Sequence, residues 1–438
     1  MSSDSKTIIQ ALQPLLQRQI KSPHPYVPNP PGCRKRASVA VIIRVRPPFK
    51  PVPAPNESVV DVGTTESPAT TLEEFFAKAW VQDGDPEVLF IKRAGRAGDR
   101  WSGHTALPGG KRDPEDPDDV AAAIRETREE IGLDLTTALA AGNLPERIVA
   151  TTWGKEALMV LCPFVFVLPS HEPPKLLPQP TEVASVHWVP LRALLSPSLR
   201  TLEYVDISSR MAKQGGPALR YLLRALMGKM VFSAIKLVPS ESVFASSIAG
   251  FIPEHSKPQT VSGWAQAPFG VPESSQSLAH QQPILLWGLT LGVLADFLDM
   301  LPPYNAVALW RYPTFTVPDL KLLVWLFTRN IRKNNAGDLS AGTWPSNTAT
   351  DAQTQATAVV TEGEPTKLAT QEHDQNTVGI SGLGVGSRTN DALSRLLVGY
   401  YDHINVALAV FFVYRALLGT TAAVWLYRTW RRRRTGKL

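Results

Sequence analysis

Apolar residues recur along the chain at spacings that predict both helices and strands. Near the N-terminus they follow one stripe of a helix, and later runs of consecutive apolar residues predict buried strands. One charged helix is expected between the second and third of these strands, from about Pro117 to Ile131. Short strands around one helix predict a domain of the α/β class with a mixed sheet. The helical stripe consists of Ile8, Leu12, Leu15 and Leu16, and the strands are expected at 37–44, 88–93, about 147–153, 158–168 and 183–189.

The charged helix carries signals at both ends and one stripe without charge. Asp116 is expected to cap its first turn, Pro117 suits the first helical position, and Gly132 is expected to end it. The uncharged stripe is expected to face the core of the domain. Its members are Val120, Ala123, Ile124, Thr127 and Ile131.

Three glutamates of this helix, Glu126, Glu129 and Glu130, lie close together on one side of it. Their mutual repulsion would destabilise a bare helix. A hard divalent cation such as Mg²⁺ or Mn²⁺ removes that cost, because it favours oxygen ligands and also binds substrate phosphates. The cluster therefore predicts a metal site at which water attacks a phosphorus atom. The alternative is an ordinary charged face in contact with solvent.

The segment from Arg125 to Leu133, Arg-Glu-Thr-Arg-Glu-Glu-Ile-Gly-Leu, resembles the second half of the Nudix box. Thr127 stands where the family pattern has an apolar residue. The segment between Gly110 and Arg125 is one residue longer than the family spacing, so that either Asp116 or Asp118 takes the place of the first acid of the box.

The resemblance implies an α+β Nudix fold, with a mixed β-sheet between helices and the box as a loop-helix-loop. It implies hydrolysis of a nucleoside diphosphate linked to another group. Glu126, Glu129 and Glu130 would hold Mg²⁺ or Mn²⁺, and Glu129, Arg125 and Glu126 would be catalytic. Arg125 would orient Glu126, and which glutamate acts as the base stays open.

The wider layout resembles the coenzyme A diphosphatases of the family. The segments that carry this likeness are Arg93-Ala94, Gly103 to Gly110 with Leu107 in place of Phe, Glu182 to Leu191, and Trp287-Gly-Leu-Thr290. It implies cleavage of coenzyme A or a derivative to 3′,5′-ADP and 4′-phosphopantetheine. The alternatives are another nucleotide, such as NADH, ADP-ribose or a nucleotide sugar, and an inactive membrane-tethered binding module.

Basic and glycine residues around the box are the candidates for substrate binding, because guanidinium and ammonium groups bind phosphates and glycine lets the backbone approach closely. His104 is expected to be a loop or core residue. Glu182 is either an ordinary residue at the start of a strand or an additional acid that approaches the metal. The substrate-binding candidates are Arg93, Arg100, Gly109, Gly110, Lys111 and Arg112.

Composition divides the rest of the chain. The apolar run Ile284–Leu301 has the length of a short membrane span, but Asp296, Asp299 and the resemblance predict a buried helix of the Nudix domain. The predicted segments are an N-terminal helix and Pro-rich link (1–35), the Nudix domain (36–301) with an insertion at about 210–282, a helical extension (302–330), a disordered linker (331–390) and a C-terminal apolar helix with a basic tail (391–438).

The C-terminal segment is the most basic part of the chain. Residues 391–438 contain eight Lys and Arg against two acids, which equals the net charge of +6 of the whole chain. The predicted Nudix domain and its neighbours are therefore close to neutral, and no nucleic-acid partner is expected. With Cys33 and Cys162 as its two cysteines, the chain has no disulfide framework, which favours a reducing compartment.

Val406–Tyr427 is long enough to cross a hydrocarbon core of about 30 Å at about 1.5 Å per residue. Arg415 near its middle opposes insertion. The alternatives are a membrane anchor and an amphipathic or domain-docking helix. The basic tail and the final Gly436-Lys-Leu438, a near match to the peroxisomal Ser-Lys-Leu signal, predict an intracellular, membrane-associated protein of peroxisomes or mitochondria.

Overall fold

The computed structural model describes residues 3–48, 71–95, 103–150, 157–172, 174–208, 216–247, 283–340, 377–379, 392–397 and 399–435. The chain divides into two units. The first comprises Met1–Arg147, Met159–Thr201 and Ala234–Ala306, and the second comprises Ile148–Leu158, Leu202–Ser233 and Val307–Leu438.

The first unit contains both helices and strands, whereas the second unit is mostly helical. The helices are α1 (Ser3–Lys21), α2 (Leu72–Ala77), α3 (Ala79–Gln82), α4 (Asp119–Ile131), α5 (Leu191–Leu195), α6 (Gly216–Met227), α7 (Gly288–Asp299), α8 (Pro318–Ser340), α9 (Ala392–Leu397) and α10 (Tyr400–Thr435). The strands are β1 (Arg36–Arg46), β2 (Asp85–Arg93), β3 (Thr105–Ala106), β4 (Gly109–Lys111), β5 (Leu139–Asn143), β6 (Arg147–Ala150), β7 (Ala157–Val167), β8 (Val183–Pro190), β9 (Arg200–Val205), β10 (Met230–Lys236), β11 (Glu241–Phe244), β12 (Leu285–Trp287), β13 (Thr314–Phe315) and β14 (Thr377–Gly379).

The first unit is built on a mixed sheet with the strand order β11-β8-β2-β1-β7. β1 runs antiparallel to β2 and parallel to β7, and the short strand β4 pairs with the beginning of β1. The apolar runs that predicted strands are buried on this sheet, because a strand covered on both faces favours apolar side chains. The predicted architecture, a mixed sheet combined with helices, is confirmed.

Helix α4 begins two residues later than the sequence predicts. Asp118, and not Asp116, is the cap, since its side chain accepts a hydrogen bond of 2.7 Å from the backbone N–H of Ala121. Gly132 ends the helix as predicted, with a φ of 71° in the left-handed region. Asp116 is thereby free of the capping role and lies beside Arg125 in the active-site region.

The uncharged stripe of α4 faces the core as predicted. Ala123 and Ile131 are buried in it, and Val120 and Ile124 pack against it. Thr127 is fully buried, and its hydroxyl donates a 2.7 Å hydrogen bond to the backbone carbonyl of Ala123 one turn earlier. This bond satisfies the polar atom, so that threonine fits where the family pattern has an apolar residue.

Part of the segment predicted as an insertion, 210–282, forms strands. β10 is a buried apolar strand whose second half pairs with β12, and β11 adds an edge strand to the main sheet by pairing with β8. Residues 209–215 and 248–282 lie outside the described residues. The run Met230–Ile235 has the apolar pattern of a buried strand, which the surrounding polar composition concealed.

The apolar run Ile284–Leu301 forms strand β12 and helix α7, as expected for a domain helix. Leu291–Leu298 of α7 are buried within the first unit. Asp296 is buried too, and its carboxylate accepts a hydrogen bond from the Arg147 guanidinium. A paired carboxylate is compatible with burial in a protein core.

The second unit contains the long helices α8 and α10. α8 continues to Ser340, past the boundary predicted at 330, and Thr377–Gly379 of the predicted linker forms β14, which pairs with β6. The rest of that linker lies outside the described residues.

Helix α10 is the C-terminal apolar helix that the sequence predicts. Among the described residues, its span Tyr400–Arg432 is the one helix long and apolar enough to cross a membrane, because it contains an 18-residue stretch with a mean hydropathy of 1.7. Its first half has a buried face that includes Leu408 and Phe411. Arg415, predicted to oppose insertion, forms a 2.7 Å ion pair with Asp319 of α8.

Candidate active site

Two glycines bring the loop of strand β4 against β1 and α4. Gly109 has a φ of 138°, and a Cβ at this position would lie 2.2 Å from the carbonyl oxygen of Ser38. A Cβ at Gly110 would lie 2.4 Å from the carboxylate of Glu126. Only glycine lets the backbone approach the helix this closely, so the Gly109-Gly110 pair places the acids of α4 directly beside the loop.

Glu130 is the most enclosed acid of the site. Its side chain is 3% exposed, and its Oε2 accepts a 2.9 Å hydrogen bond from the backbone N–H of Gly109. Nη1 of Arg93 lies 3.7 Å from its Oε1. Burial raises the pKa of Glu130 to about 8, and the negative charges of Glu126 and Glu182 contribute to the rise. The Gly109 N–H and the Arg93 guanidinium therefore do not compensate the cost of burying an ionised Glu130.

Glu126 lies against Gly110 and is partly buried. Burial raises its pKa, and the negative charges of Glu129 and Glu182 add to the rise, while Arg125 opposes it. The Nη2 atom of Arg125 is 3.2 Å from Oε1 of Glu126. The pKa values of two acids of one helix, Glu126 and Glu130, are therefore both raised, which is typical of a site completed by a cation.

Glu129 lies apart from these two acids. Its side chain is 58% exposed, and its Oε2 accepts a 2.9 Å hydrogen bond from Nη1 of Arg125. The structure thus brings Glu126 and Glu130 together with Glu182 and places Glu129 at the solvent side of Arg125. The metal-binding and catalytic roles of Glu129 stay predictions.

Glu182, which the sequence left open, acts electrostatically on the site. It directly precedes strand β8, and its backbone carbonyl accepts a 2.8 Å hydrogen bond from Ala94 at the end of β2. Its charge raises the pKa of both Glu126 and Glu130. It is therefore a strand-start residue and also a member of the acidic cluster.

Arg125 ties the loop before α4 to the helix. Its guanidinium donates hydrogen bonds of 2.9 and 3.0 Å to the two carboxylate oxygens of Asp116 and one of 3.1 Å to the carbonyl of Lys111. This fork lowers the pKa of Asp116. Of the two acids left open by the longer box, Asp116 contacts Arg125, whereas Asp118 caps the helix.

The predicted substrate-binding residues fall into three groups. Gly109, Gly110 and Arg93 lie at the acids, as described above. Lys111 is exposed beside them, while the Arg112 guanidinium binds the carbonyls of Asp116 and Pro117 at 3.2 and 2.9 Å and so supports the loop. Arg100 lies outside the described residues. The substrate contacts of these residues stay predictions.

A second acidic cluster, which the sequence analysis missed, lies on the other side of the α4 N-terminus. Asp119, Glu146 and Cys162 are buried within ligand distance of one another, as a metal site would require. Arg36 occupies their midst, at 2.8 Å from Asp119, 2.7 Å from Glu146 and 3.1 Å from the Cys162 sulfur. Since the guanidinium already neutralises the carboxylates, we interpret this cluster as a structural network.

Residues 77–207 match the NUDIX domain model. An uncharacterized protein of Schizosaccharomyces pombe is 33% identical over 263 residues, which cover 59% of this chain and 70% of that protein. The human mitochondrial coenzyme A diphosphatase NUDT8 is 36% identical over 120 residues, 26% of this chain and 45% of that enzyme.

The mouse peroxisomal coenzyme A diphosphatase NUDT7 is 27% identical over 190 residues, 42% of this chain and 77% of that enzyme. A crystal structure of a Nudix hydrolase from M. smegmatis covers 36% of this chain and 73% of its own, with 19% identity and a TM-score of 0.23. The chain thus spans less than half of the human relative that it matches.

The chain belongs to the Nudix hydrolase family. The segment Gly109–Leu133 that predicted this from the sequence lies inside the matched domain.

Proposed function

We propose that this protein is a metal-dependent Nudix diphosphatase whose substrate is coenzyme A or a derivative of it. The observation that carries the proposal is the crowding of Glu126, Glu130 and Glu182 at the Gly109-Gly110 loop. The pKa values of Glu126 and Glu130 are both raised there. Diphosphate substrates bring further negative charge to this place. A divalent cation offsets the negative charge of these carboxylates and that of the diphosphate.

The donor set fits Mg²⁺ or Mn²⁺, because it consists of carboxylates and a glycine-rich backbone. Glu126 and Glu130 would hold the cation, with Glu129 as the third predicted ligand and Glu182 as an additional acid. When bound, the cation neutralises these carboxylates and polarises the diphosphate.

The protein's own groups prepare the reaction. Gly109 orients Glu130 through its backbone N–H. Arg125 holds Asp116 and Glu129 on either side of its fork, and this keeps the loop and the helix in a fixed relation while Glu126 or Glu129 accepts a proton from water. Asp116 takes the place of the first acid of the box.

Coenzyme A is favoured by the relatives named coenzyme A diphosphatases and by the motif around Gly103–Gly110. The products would be 3′,5′-ADP and 4′-phosphopantetheine. The runner-up substrates are NADH, ADP-ribose and nucleotide sugars, which contain the same nucleoside diphosphate.

The test is turnover by the full-length protein with Mg²⁺ or Mn²⁺, with products identified by chromatography. We expect coenzyme A to be cleaved, and Glu126→Gln and Glu130→Gln to lower kcat by at least about 100-fold. Glu172→Gln, which changes an exposed acid of a loop, is the matched control and is expected to retain activity. Cleavage of NADH but not of coenzyme A would contradict the proposed substrate. Wild-type activity in both glutamine variants would contradict the proposed roles of Glu126 and Glu130.

We also propose that α10 attaches the protein to an intracellular membrane of peroxisomes or mitochondria. This rests on the length and apolar character of Tyr400–Arg432, on its exposed basic residues Arg428 and Arg431, and on the organelle names of the relatives. The Arg415–Asp319 ion pair compensates a charge that would otherwise cost about 3 kcal/mol at a membrane centre.

Carbonate extraction of membranes that contain the full chain tests the attachment. We expect the wild-type protein to stay in the membrane pellet and the double variant Leu418→Lys/Val424→Lys to be released, because both side chains are exposed on α10. Release of the wild-type protein would contradict a membrane span.

A further inference from the structure

We infer that the side chains of His104 and Trp287 form the subsite for the base of the nucleotide substrate. The inference deepens the proposed function and rests on it, because it assigns one half of the substrate to one side of the acidic cluster. The two rings lie in the first unit, with centroids 4.8 Å apart and planes tilted by 56°. Neither side chain is a candidate for the reaction itself.

The pair lies one arginine side chain away from the acids. The backbone N–H of Arg93 donates a 3.0 Å hydrogen bond to the carbonyl of His104, and Nη1 of the same arginine lies 3.7 Å from Glu130. Ala94, the next residue, bonds to the carbonyl of Glu182. His104, Arg93 and the acidic cluster therefore meet at one end of the sheet, and a diphosphate that binds beside Arg93 would have the two rings next to it.

The position of Trp287 is held from three directions. It pairs with Ala234 as the last residue of β12, and it directly precedes α7. One helical turn later, the hydroxyl of Thr290 donates a 3.3 Å hydrogen bond to the carbonyl of Thr105, the residue after His104. Strand, helix and loop together hold the backbone of Trp287 in place before a ligand arrives, which lowers the entropic cost of binding.

The burial of the two rings differs from that of the core aromatics. Phe90 and Trp188 of the same unit are buried completely, whereas His104 and Trp287 retain part of their surface. An aromatic surface held in place beside the Arg93 guanidinium suits the flat π-face of a nucleobase. The flexible pantetheine arm offers no such face. We therefore place the nucleoside half of the substrate toward α7 and the pantetheine half on the other side of the diphosphate.

The experiment compares two substrates in full-length Trp287→Ala, Trp287→Phe and His104→Ala proteins. One substrate is coenzyme A, and the other is an analogue that keeps the diphosphate and the pantetheine but has hydrogen in place of adenine. For coenzyme A we expect Trp287→Ala to lower kcat/KM by about 5- to 100-fold, and Trp287→Phe to restore most of it. For the analogue without a base we expect no change in kcat/KM.

Equal losses on both substrates would overturn the inference, since they would mean that Trp287 only supports the loop. Unchanged kcat/KM for coenzyme A in Trp287→Ala would overturn it as well, while leaving the proposed function intact. Trp325→Ala, which removes an exposed tryptophan of α8, is the matched control and is expected to retain wild-type kinetics.

Calorimetric binding of 3′,5′-ADP separates the inference from the proposed function. We expect the wild-type protein to bind it about 5- to 100-fold more tightly than Trp287→Ala does. If the wild-type protein cleaved no diphosphate but showed this difference, the proposed function would fail and the base subsite would stand. Equal affinities would overturn the subsite.

Discussion

Arg36 and Arg125 both pair with acids in or beside α4, but their environments differ. The Arg36 side chain is 6% exposed and hydrogen-bonds with Asp119 and Glu146, which are equally buried. The Arg125 side chain is 28% exposed and divides its hydrogen bonds between Asp116 and Glu129. The first arginine is surrounded by its partners, whereas the second stands at the edge of a group of acids that it compensates only in part.

The difference shows that one domain can contain two kinds of acidic cluster, one that stabilises the fold and one that is available to bind a cation. Around Arg36 each carboxylate has a guanidinium nitrogen within 2.8 Å. Around Glu130 the guanidinium of Arg93 is 3.7 Å away, and burial raises the pKa of Glu130 to about 8. The crowded acids with a deficit of positive charge are the ones expected to bind a cation.

The largest expected effect comes from removing the buried arginine. Arg36→Met leaves Asp119 and Glu146 buried without a cation, so we expect the free energy of unfolding to fall by about 3–5 kcal/mol. Urea titration followed by circular dichroism measures this. A change below about 1 kcal/mol would contradict the structural interpretation of the cluster, and stabilisation by added Mg²⁺ would favour a metal site there.

A smaller effect is expected from pH in the presence of EDTA. Because the folded-state pKa of Glu130 is raised to about 8, its stabilising contribution is complete below about pH 4.5 and is lost as the pH rises toward 8. We expect a loss on the order of 3 kcal/mol over this range. Thermal melting across the range should show the decline in the wild-type protein. Glu130→Gln should flatten it, and an equally steep decline in that variant would assign it to other groups.

The smallest expected effect on stability comes from Arg125, the partly exposed arginine. Arg125→Lys keeps the charge but loses the fork that binds both oxygens of Asp116. We expect about 1 kcal/mol less stability and a fall in kcat of roughly 10-fold or more, since the loop and the helix lose their fixed relation. Melting and turnover measured on one preparation check both, and unchanged kcat would mean that Arg125 has no positioning role.

Much of the fold could be predicted from the sequence. Four strands of the main sheet (β1, β2, β7 and β8) and the helix of the box follow from continuous apolar runs and from an uncharged stripe at helical spacing, which are local patterns. The cap at Asp118 was missed because Asp116 and Asp118 are chemically equivalent before the loop is folded. β10 was missed because its apolar run lies between polar segments, and its partner β12 follows about fifty residues later.

The candidate site divides in the same way. The spacing of Glu126, Glu129 and Glu130 placed them together on α4, yet it did not distinguish enclosed Glu130 from exposed Glu129. That distinction depends on the Gly109 loop, which covers one glutamate and leaves the other in solvent. The structural network around Arg36 joins residues more than one hundred positions apart and has no local signal.

The sequence by itself determined the family, the acids of the box, and the segregation of positive charge in the C-terminal segment, because each depends on residue types at short spacings. The tertiary structure decided which acids lack compensation, which arginine is enclosed, and where His104 meets Trp287. These properties depend on distances between segments far apart in the chain. Burial and charge act through space, and the chain order alone does not specify which side chains share a low-dielectric environment.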